Sequence, residues 1–232
     1  MKKWLNKLKE NFSLVWLNLV TKKRDLHEYL KVVKRYYFQS TFRKIDLALL
    51  LLYLFKNPFK ISKDFLLAQD EEEVYAYGET PLTTLEEIAH QCQITAQDHV
   101  FELGSGRGRG CFWLNCFVGC QVVGVDFLPT FIQRAQRVKE KYQIKRVDFR
   151  QENFLHTHFN GVTVVYLFGT LLDEPFLRKL VKRFSKLPPG TKFITVSYSL
   201  SDYTQQPLFE LIRSFPASFN WGETDVYLQQ LK

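Results

Sequence analysis

The feature that most constrains the fold of this chain is a glycine-rich stretch between an apolar strand pattern and a helix pattern. It runs from Gly104 to Gly110, has glycine at every second position, and follows the apolar residues 99–103. Glycine allows a tight turn and a close approach of a ligand to the backbone. In parallel α/β sheets, a turn of this kind after a strand binds nucleotide-like ligands. The sequence therefore predicts an α/β fold with a ligand site here.

The rest of the chain after residue 82 alternates between strand and helix patterns. Strands are predicted at 99–103, 121–125, 146–150, 162–168 and 192–197, and helices at 84–92, after the glycine-rich turn, and at 131–142 and 174–185. Such alternation favours a mostly parallel sheet with right-handed crossovers. The end differs, because predicted strands at 208–215, 219–221 and 225–231 meet at Gly222, which indicates an antiparallel hairpin.

Positive charge is concentrated near the start of the chain. Residues 1–60 hold 14 Lys/Arg and four Asp/Glu, whereas residues 61–232 hold 18 and 20. We therefore divide the chain into a basic N-terminal helical segment, 1–70, and a body, 71–232. The asymmetry indicates an anionic partner for residues 1–60, either a membrane surface or nucleic acid. The alternative is that the lysines form the solvated face of helices that pack on the body.

Three helices are predicted in the basic segment. The first carries an apolar stripe over residues 4–19, and the second, residues 26–37, follows Asp25 as a plausible N-cap. The third spans 42–55 and is apolar nearly all round, so we expect it to be buried and to end at Asn57-Pro58.

The composition excludes several classes of protein. With 21 Phe and 11 Tyr the chain is not disordered. Its longest apolar run has nine residues, against about 20 needed to span a bilayer, and the start is not a convincing secretory signal. The four cysteines lack C-x-x-C spacing and are expected as buried thiols, and no metal is expected because His156 and His158 have no third ligand nearby. We expect a cytoplasmic protein that can attach peripherally to a membrane.

Two kinds of ligand compete for the glycine-rich turn. A dinucleotide site needs G-x-G-x-x-G, but Arg109 stands at the last position. Glu102, two residues before the first glycine, would repel a pyrophosphate and suits the ammonium and sulfonium of S-adenosylmethionine. Arg107 and Arg109 favour a dinucleotide instead, because they can pair with phosphate. The charge of Glu102 favours S-adenosylmethionine.

Side chains after the next two strands fit an adenosine ligand. Asp126 closes the second strand and can accept both ribose hydroxyls, or it can cap the following helix. Phe127 can lie against the adenine edge. After the third strand, an oxygen of Glu152 or Asn153 can accept the adenine amino group, while Phe154 offers an apolar face or belongs to the core.

Together these residues and the closing hairpin resemble class I S-adenosylmethionine-dependent methyltransferases, over about residues 75–232. Tyr77-Gly78-Glu79-Thr80 resembles a loop of the non-SET histone-lysine methyltransferases of the disruptor of telomeric silencing type and their bacterial relatives. The resemblance implies a Rossmann-like sheet, and a loop at 77–80 that folds over the cofactor. The cofactor-binding residues that we expect are Tyr77, Thr80, Glu102, Gly104, Ser105, Gly106, Gly108, Asp126, Phe127, Asn153 and Phe154.

The methyl acceptor is less clearly indicated. The residues after the fourth strand, 166–170, contain no Asn, unlike the Asn-rich segment of that family. Methyl transfer depends mainly on positioning, so no catalytic residue is identified. Candidates for the acceptor mouth are Tyr77, Glu79, Tyr166 and Phe168. We expect a methyltransferase acting on a protein, with lysine as a candidate acceptor. The alternatives are a small molecule, lipid or RNA acceptor, or a non-catalytic scaffold at a membrane or polyanion.

Overall fold

A seven-stranded sheet organises the computed structural model, which describes residues 23–68 and 77–232. The strand order is β3-β2-β1-β4-β5-β7-β6, with β1 to β5 parallel and β7 antiparallel to both of its neighbours. The strands are β1 His99–Leu103, β2 Gln121–Asp126, β3 Val147–Gln151, β4 Val164–Leu167, β5 Lys192–Val196, β6 Phe209–Phe219 and β7 Gly222–Leu231. The predicted fold class is confirmed.

Helices cover both faces of the sheet. They are α1 (residues 23–36), α2 Ser40–Leu52, α3 Pro58–Leu67, α4 Leu82–Gln91, α5 Arg109–Trp113, α6 Pro129–Lys141 and α7 Glu174–Phe184. A π-helical turn, Leu114–Val118, continues α5, and a short 3₁₀-helix spans Leu200–Tyr203. Within the two described ranges, no helix combines the length and apolarity needed to cross a bilayer.

Alternation along the strands divides the core into two clusters, because successive side chains point to opposite faces. Val100 and Val122 pack with α1, α2, α4, α5 and α6, whereas Phe101 and Val123 pack with α7. The four cysteines are unpaired thiols, and three of them are buried, as the sequence predicts. The N-terminal helices therefore share one apolar core with the parallel sheet.

The N-terminal helices differ from the sequence prediction. The stripe at residues 4–19 lies outside the described residues. Asp25 lies within α1 and is not its N-cap. The prediction that residues 42–55 are buried all round is wrong, since α2 buries one face and leaves Leu51 exposed. Asn57 begins α3 rather than ending the helix before it: its Oδ1 accepts from Lys60 N at 2.8 Å, and Pro58 occupies the first turn.

The C-terminal hairpin also differs in detail. The separate short strand predicted at 219–221 does not exist, because β6 continues unbroken in direction as far as Phe219. An irregularity in register between Leu211 and Arg213 absorbs an extra residue. The turn therefore comprises only Asn220 and Trp221 before β7 begins at Gly222.

A buried ion pair joins α2 to the start of α5. Asp46 is fully buried and accepts from Arg109 Nε at 2.6 Å and from Arg109 Nη2 at 3.0 Å. The hydroxyl of Tyr37 donates to the same carboxylate at 2.9 Å. A buried charge of this kind is stable only while its partners remain in place. The pair therefore fixes the N-terminal helices to the glycine-rich turn.

We predict that Asp46→Ala lowers the free energy of unfolding by about 3 kcal/mol, because it leaves the Arg109 guanidinium mostly buried without a counter-charge. Urea unfolding followed by circular dichroism measures this. The double variant Asp46→Ala with Arg109→Met is the control, and it should be more stable than the sum of the two single effects implies. If the double variant lost as much free energy of unfolding as the two single variants together, the pairing would be contradicted.

Candidate functional site

A cleft of about 470 Å³ lies at the carboxyl ends of the parallel strands. Loops that follow β1, β2, β3 and β4 converge there, because parallel strands end at the same edge of the sheet. The loop before α4 and one residue each of α3, α6 and α7 complete the walls. The lining residues are Ser62, Tyr77, Gly78, Leu103, Gly104, Gly106, Asp126, Phe127, Leu128, Phe131, Glu152, Asn153, Phe154, Phe168, Gly169, Thr170, Leu171, Leu172 and Phe176.

The glycine-rich turn forms the floor of the cleft. Gly104, Gly106 and Gly108 all have positive φ, at 81°, 52° and 76°. At Gly108 a Cβ atom would lie 2.5 Å from the Phe149 ring, and at Gly106 it would lie 3.4 Å from the Tyr77 ring. Conformation therefore favours glycine at all three positions, and at Gly108 the space requires it as well. The backbone is thereby exposed to whatever occupies the cleft.

Asp126, at the end of β2, hydrogen-bonds both the glycine-rich turn and the start of α6, while its predicted contact with ribose stays a prediction. Its Oδ2 accepts from Gly106 N at 2.8 Å, and its Oδ1 accepts from Leu128 N at 2.9 Å. Leu128 is the N-cap residue of α6, so Asp126 orders both the turn and the helix start. Burial raises the pKa of this carboxyl, while the backbone N–H groups lower it. The carboxylate also lines the cleft, where it can accept from a ligand hydroxyl.

The residues after β3 provide acceptors and an apolar wall. Glu152 lines the cleft, and its Oε2 is buried without a hydrogen-bond partner. Buried polar atoms are normally hydrogen-bonded, so a ligand in the cleft would donate a hydrogen bond to this oxygen. Asn153 already uses its Oδ1 to accept from Leu155 N at 2.9 Å. Phe154 packs edge-on against Phe176 across the cleft wall, with ring centroids 6.3 Å apart.

The segment 77–80 lies over the glycine-rich turn. Arg107 donates to both oxygens of Glu79, at 2.6 and 2.5 Å, and the Tyr77 hydroxyl also donates to Glu79. Burial alone would raise the pKa of Glu79, but Arg107 brings it down to about 2. Thr80 shares a hydrogen bond with the Tyr166 hydroxyl. An ion pair and a buried aromatic ring therefore hold this segment on the turn.

Positive charge is absent from the described walls of the cleft. Arg107 is paired with Glu79 and Arg109 with Asp46, and neither lines the cleft. The charged side chains that do line it, among the residues described, are Asp126 and Glu152. This arrangement disfavours a phosphate ligand and suits one that carries a positive group.

Glu102 lies beside the main cleft, in a small recess that Thr80, Arg109 and Phe168 also line. Burial raises its pKa to about 7, although a hydrogen bond from Cys111 Sγ to Oε2, 3.0 Å long, acts in the opposite direction. The carboxyl therefore titrates near neutral pH. A cation in the recess would favour its ionised form.

The four candidates for an acceptor mouth occupy different places. Tyr77 and Phe168 line the cleft, while Glu79 lines the recess and is held by Arg107. Tyr166 is 2% exposed and lines neither space, so it supports Thr80 from within the core. Sequence reasoning missed Ser62, which reaches the cleft from α3. Local pattern gives no signal for this contact, because it depends on how α3 packs.

Sequence comparisons identify the family of the chain. The model of a family described as "Methyltransferase domain" matches residues 94–229. A curated relative, the "Histone-lysine N-methyltransferase, H3 lysine-79 specific" of Dictyostelium discoideum, is 28% identical over 158 residues. That match covers 61% of this chain and 8% of the relative, so the chain spans less than a tenth of that protein.

Solved structures share the fold. An RNA methyltransferase from Salinibacter ruber in complex with S-adenosyl-L-homocysteine has a TM-score of 0.55 at 22% identity, covering 66% of this chain and 93% of that one. TrmN from Thermus thermophilus gives 0.55 at 14%, covering 64% and 48%. Geranyl diphosphate C-methyltransferase from Streptomyces coelicolor gives 0.54 at 15%, covering 65% and 78%. At these identities the likeness establishes the fold alone.

We predict that Glu102 makes stability depend on pH. The folded protein holds the Glu102 proton up to about pH 7, whereas an ordinary glutamate releases it near 4.5. Its contribution is therefore fully present below pH 4.5 and is lost as the pH rises through 7, a change of about 3 kcal/mol in the free energy of unfolding.

Urea unfolding of the wild type and of Glu102→Gln at pH 5 and pH 8 measures this contribution. Glu102→Gln should gain stability relative to the wild type on going from pH 5 to pH 8. The same difference between the two proteins at both pH values would mean that Glu102 does not titrate in this range.

Proposed function

This chain belongs to the methyltransferase domain family, and we propose that its methyl acceptor is an amine of a protein, in the first place lysine. Its methyl donor is S-adenosylmethionine. The observation that carries the proposed acceptor is the 77–80 segment lying over the glycine-rich turn, where the resemblance to the lysine methyltransferases requires it. The similarity to a histone-lysine methyltransferase supports the same acceptor.

The residues of the cleft fit the donor. Asp126 would accept from the ribose hydroxyls, and the unpartnered Oε2 of Glu152 would accept from a ribose hydroxyl or the adenine amino group. Phe127 and Phe154 offer apolar faces to the adenine ring. Glu102, in the recess next to the turn, would attract the ammonium of the methionine part. When bound, S-adenosylmethionine supplies an electrophilic methyl group on a positively charged sulfur.

The chain contributes position and exclusion of water rather than a proton acceptor. Phe168 and Tyr77 present aromatic surface where the cleft meets the recess. A lysine amine must be neutral to attack a methyl group, and apolar surroundings favour its neutral form. Glu79 is engaged by Arg107 and keeps its negative charge at all physiological pH values, so it fixes the loop instead of relaying a proton. The enzyme accelerates transfer mainly by holding the two reactants in line.

A lipid or other small molecule is the second candidate acceptor. Leu171 and Phe127, at the rim of the cleft, are each about half exposed, so an acceptor with an apolar part would find contacts there. An RNA acceptor lacks comparable support, because the described cleft lining contains no Lys or Arg. A scaffold without activity is disfavoured by the intact set of Glu102, the glycines and Asp126.

We predict that Asp126→Ala weakens the binding of S-adenosylhomocysteine by about 2–4 kcal/mol, since two charge-assisted hydrogen bonds to ribose are lost. Isothermal titration calorimetry measures the change. Asp148→Ala is the matched control, because Asp148 lies on the neighbouring strand and pairs with Lys139 outside the cleft. Unchanged affinity in Asp126→Ala would restrict Asp126 to ordering the turn.

The acceptor is tested with S-adenosylmethionine labelled in its methyl group and a cell lysate. We expect label that resists nuclease and lipid extraction, is released by protease, and appears as methyl-lysine after acid hydrolysis. Asp126→Ala is the negative control and should reduce incorporation at limiting donor. Label that partitions into organic solvent would replace the protein acceptor with a lipid, and label released by nuclease would replace it with RNA.

A further inference from the structure

The turn between α2 and α3 exposes a group of large apolar side chains. Phe55 is 93% exposed, and Leu51, Leu54 and Phe59 are each at least 60% exposed. With Leu52 they form what we call the apolar tip: Leu51, Leu52, Leu54, Phe55 and Phe59. Monomeric proteins rarely leave so many neighbouring apolar side chains in water, so such a patch indicates a binding surface.

The tip is exposed although the helix that carries it is well packed. On the opposite face of α2, Phe42, Ile45 and Leu49 are buried in the core. Tyr53 anchors the end of the helix, since the guanidinium of Arg134 stacks on its ring at 4.6 Å. Arg134 also donates to Leu52 O at 2.9 Å. The exposure of the tip is therefore fixed by the packing of its neighbours.

We propose that the apolar tip inserts into the surface of an anionic lipid bilayer. Exposed lysines lie beside the tip in the sequence, Lys56 next to Phe55 and Lys60 next to Phe59. Lysine side chains of this kind extend their charged ends to lipid headgroups while the apolar side chains enter the acyl boundary. The excess of positive charge over residues 1–60, 14 Lys/Arg against four Asp/Glu, attracts the same surface.

The chemistry of the tip favours a bilayer over RNA. Single-stranded RNA is bound by aromatic rings that stack on bases, combined with arginine and polar groups. Phe55 and Phe59 could stack on bases, but the three leucines of the tip offer neither stacking nor hydrogen bonds, and the exposed cations beside it are lysines rather than arginines. Aliphatic side chains flanked by lysine match the boundary between acyl chains and charged headgroups.

The apolar tip and α3 contact residues that line the cleft. Phe59 packs edge-on against Tyr77 with ring centroids 5.0 Å apart, and farther along α3 Phe65 packs against Phe127 at 5.7 Å. Tyr77 and Phe127 both line the cleft. A bilayer held at the tip would therefore lie near the mouth, and the protein acceptor would be a membrane protein. This last step rests on the proposed function, whereas the attachment itself does not.

The attachment is tested by sedimentation of the full chain with vesicles. We expect binding to vesicles of mixed phosphatidylglycerol and phosphatidylcholine, and about tenfold weaker binding to phosphatidylcholine alone. Leu54→Ser with Phe55→Ser should reduce binding to the mixed vesicles about tenfold. The matched control is Leu211→Ser with Ile212→Ser, which removes two half-exposed apolar side chains from β6 at the far edge of the sheet and should leave binding unchanged.

Two further readouts make the result decisive. S-adenosylhomocysteine should raise the melting temperature of the wild type and of both double variants by the same amount, which separates attachment from the methyltransferase site. Raising the salt from about 0.1 M to about 1 M should weaken vesicle binding by shortening the screening length. Equal binding of the tip variant and the wild type would overturn the proposal. So would a wild-type chain that ignores vesicles, or one that binds RNA instead.

Discussion

Two ion pairs made by neighbouring arginines of the glycine-rich turn determine how the site is assembled. Arg107 holds Glu79 in the segment that covers the turn, and Arg109 holds the fully buried Asp46 of α2. Because buried charges are costly without partners, each pair fixes two elements that are distant in sequence. Neither arginine lines the described cleft, and Arg109, which lines the adjoining recess, has its charge paired with Asp46. The turn is thereby ordered and the described cleft lining is left with acidic charge alone.

The acidity of the cleft connects the architecture to its chemistry. Asp126 and Glu152 line it, and Glu102 lies in the adjoining recess with a pKa of about 7. A ligand with two positive groups, one carboxylate and no phosphate is favoured over a dinucleotide in such a field, which is the charge pattern of S-adenosylmethionine. The apolar mouth formed by Phe168 and its neighbours then suits an amine that must lose its charge before it reacts.

Much of the fold and part of the site follow from local sequence pattern. The alternation of strands and helices, the glycine-rich turn and the positions of Asp126 and Phe154 were predictable, since each depends on residues close in sequence. The partners of Arg107 and Arg109 were not, because they lie 28 and 63 residues away and depend on tertiary packing. For the same reason the exposed face of α2 was not predictable, and residues 42–55 were expected to be buried all round. Apolar composition does not distinguish a core helix from one that carries an exposed binding surface.

The central claim is that the cleft selects an adenosine ligand with an ammonium group and no phosphate over a dinucleotide. Calorimetric titration of the wild-type chain with S-adenosylhomocysteine and, separately, with NADH tests this most directly. The account predicts saturable binding of S-adenosylhomocysteine with a rise in melting temperature, and no comparable effect of NADH. Tighter binding of NADH, with the larger rise in melting temperature, would contradict it.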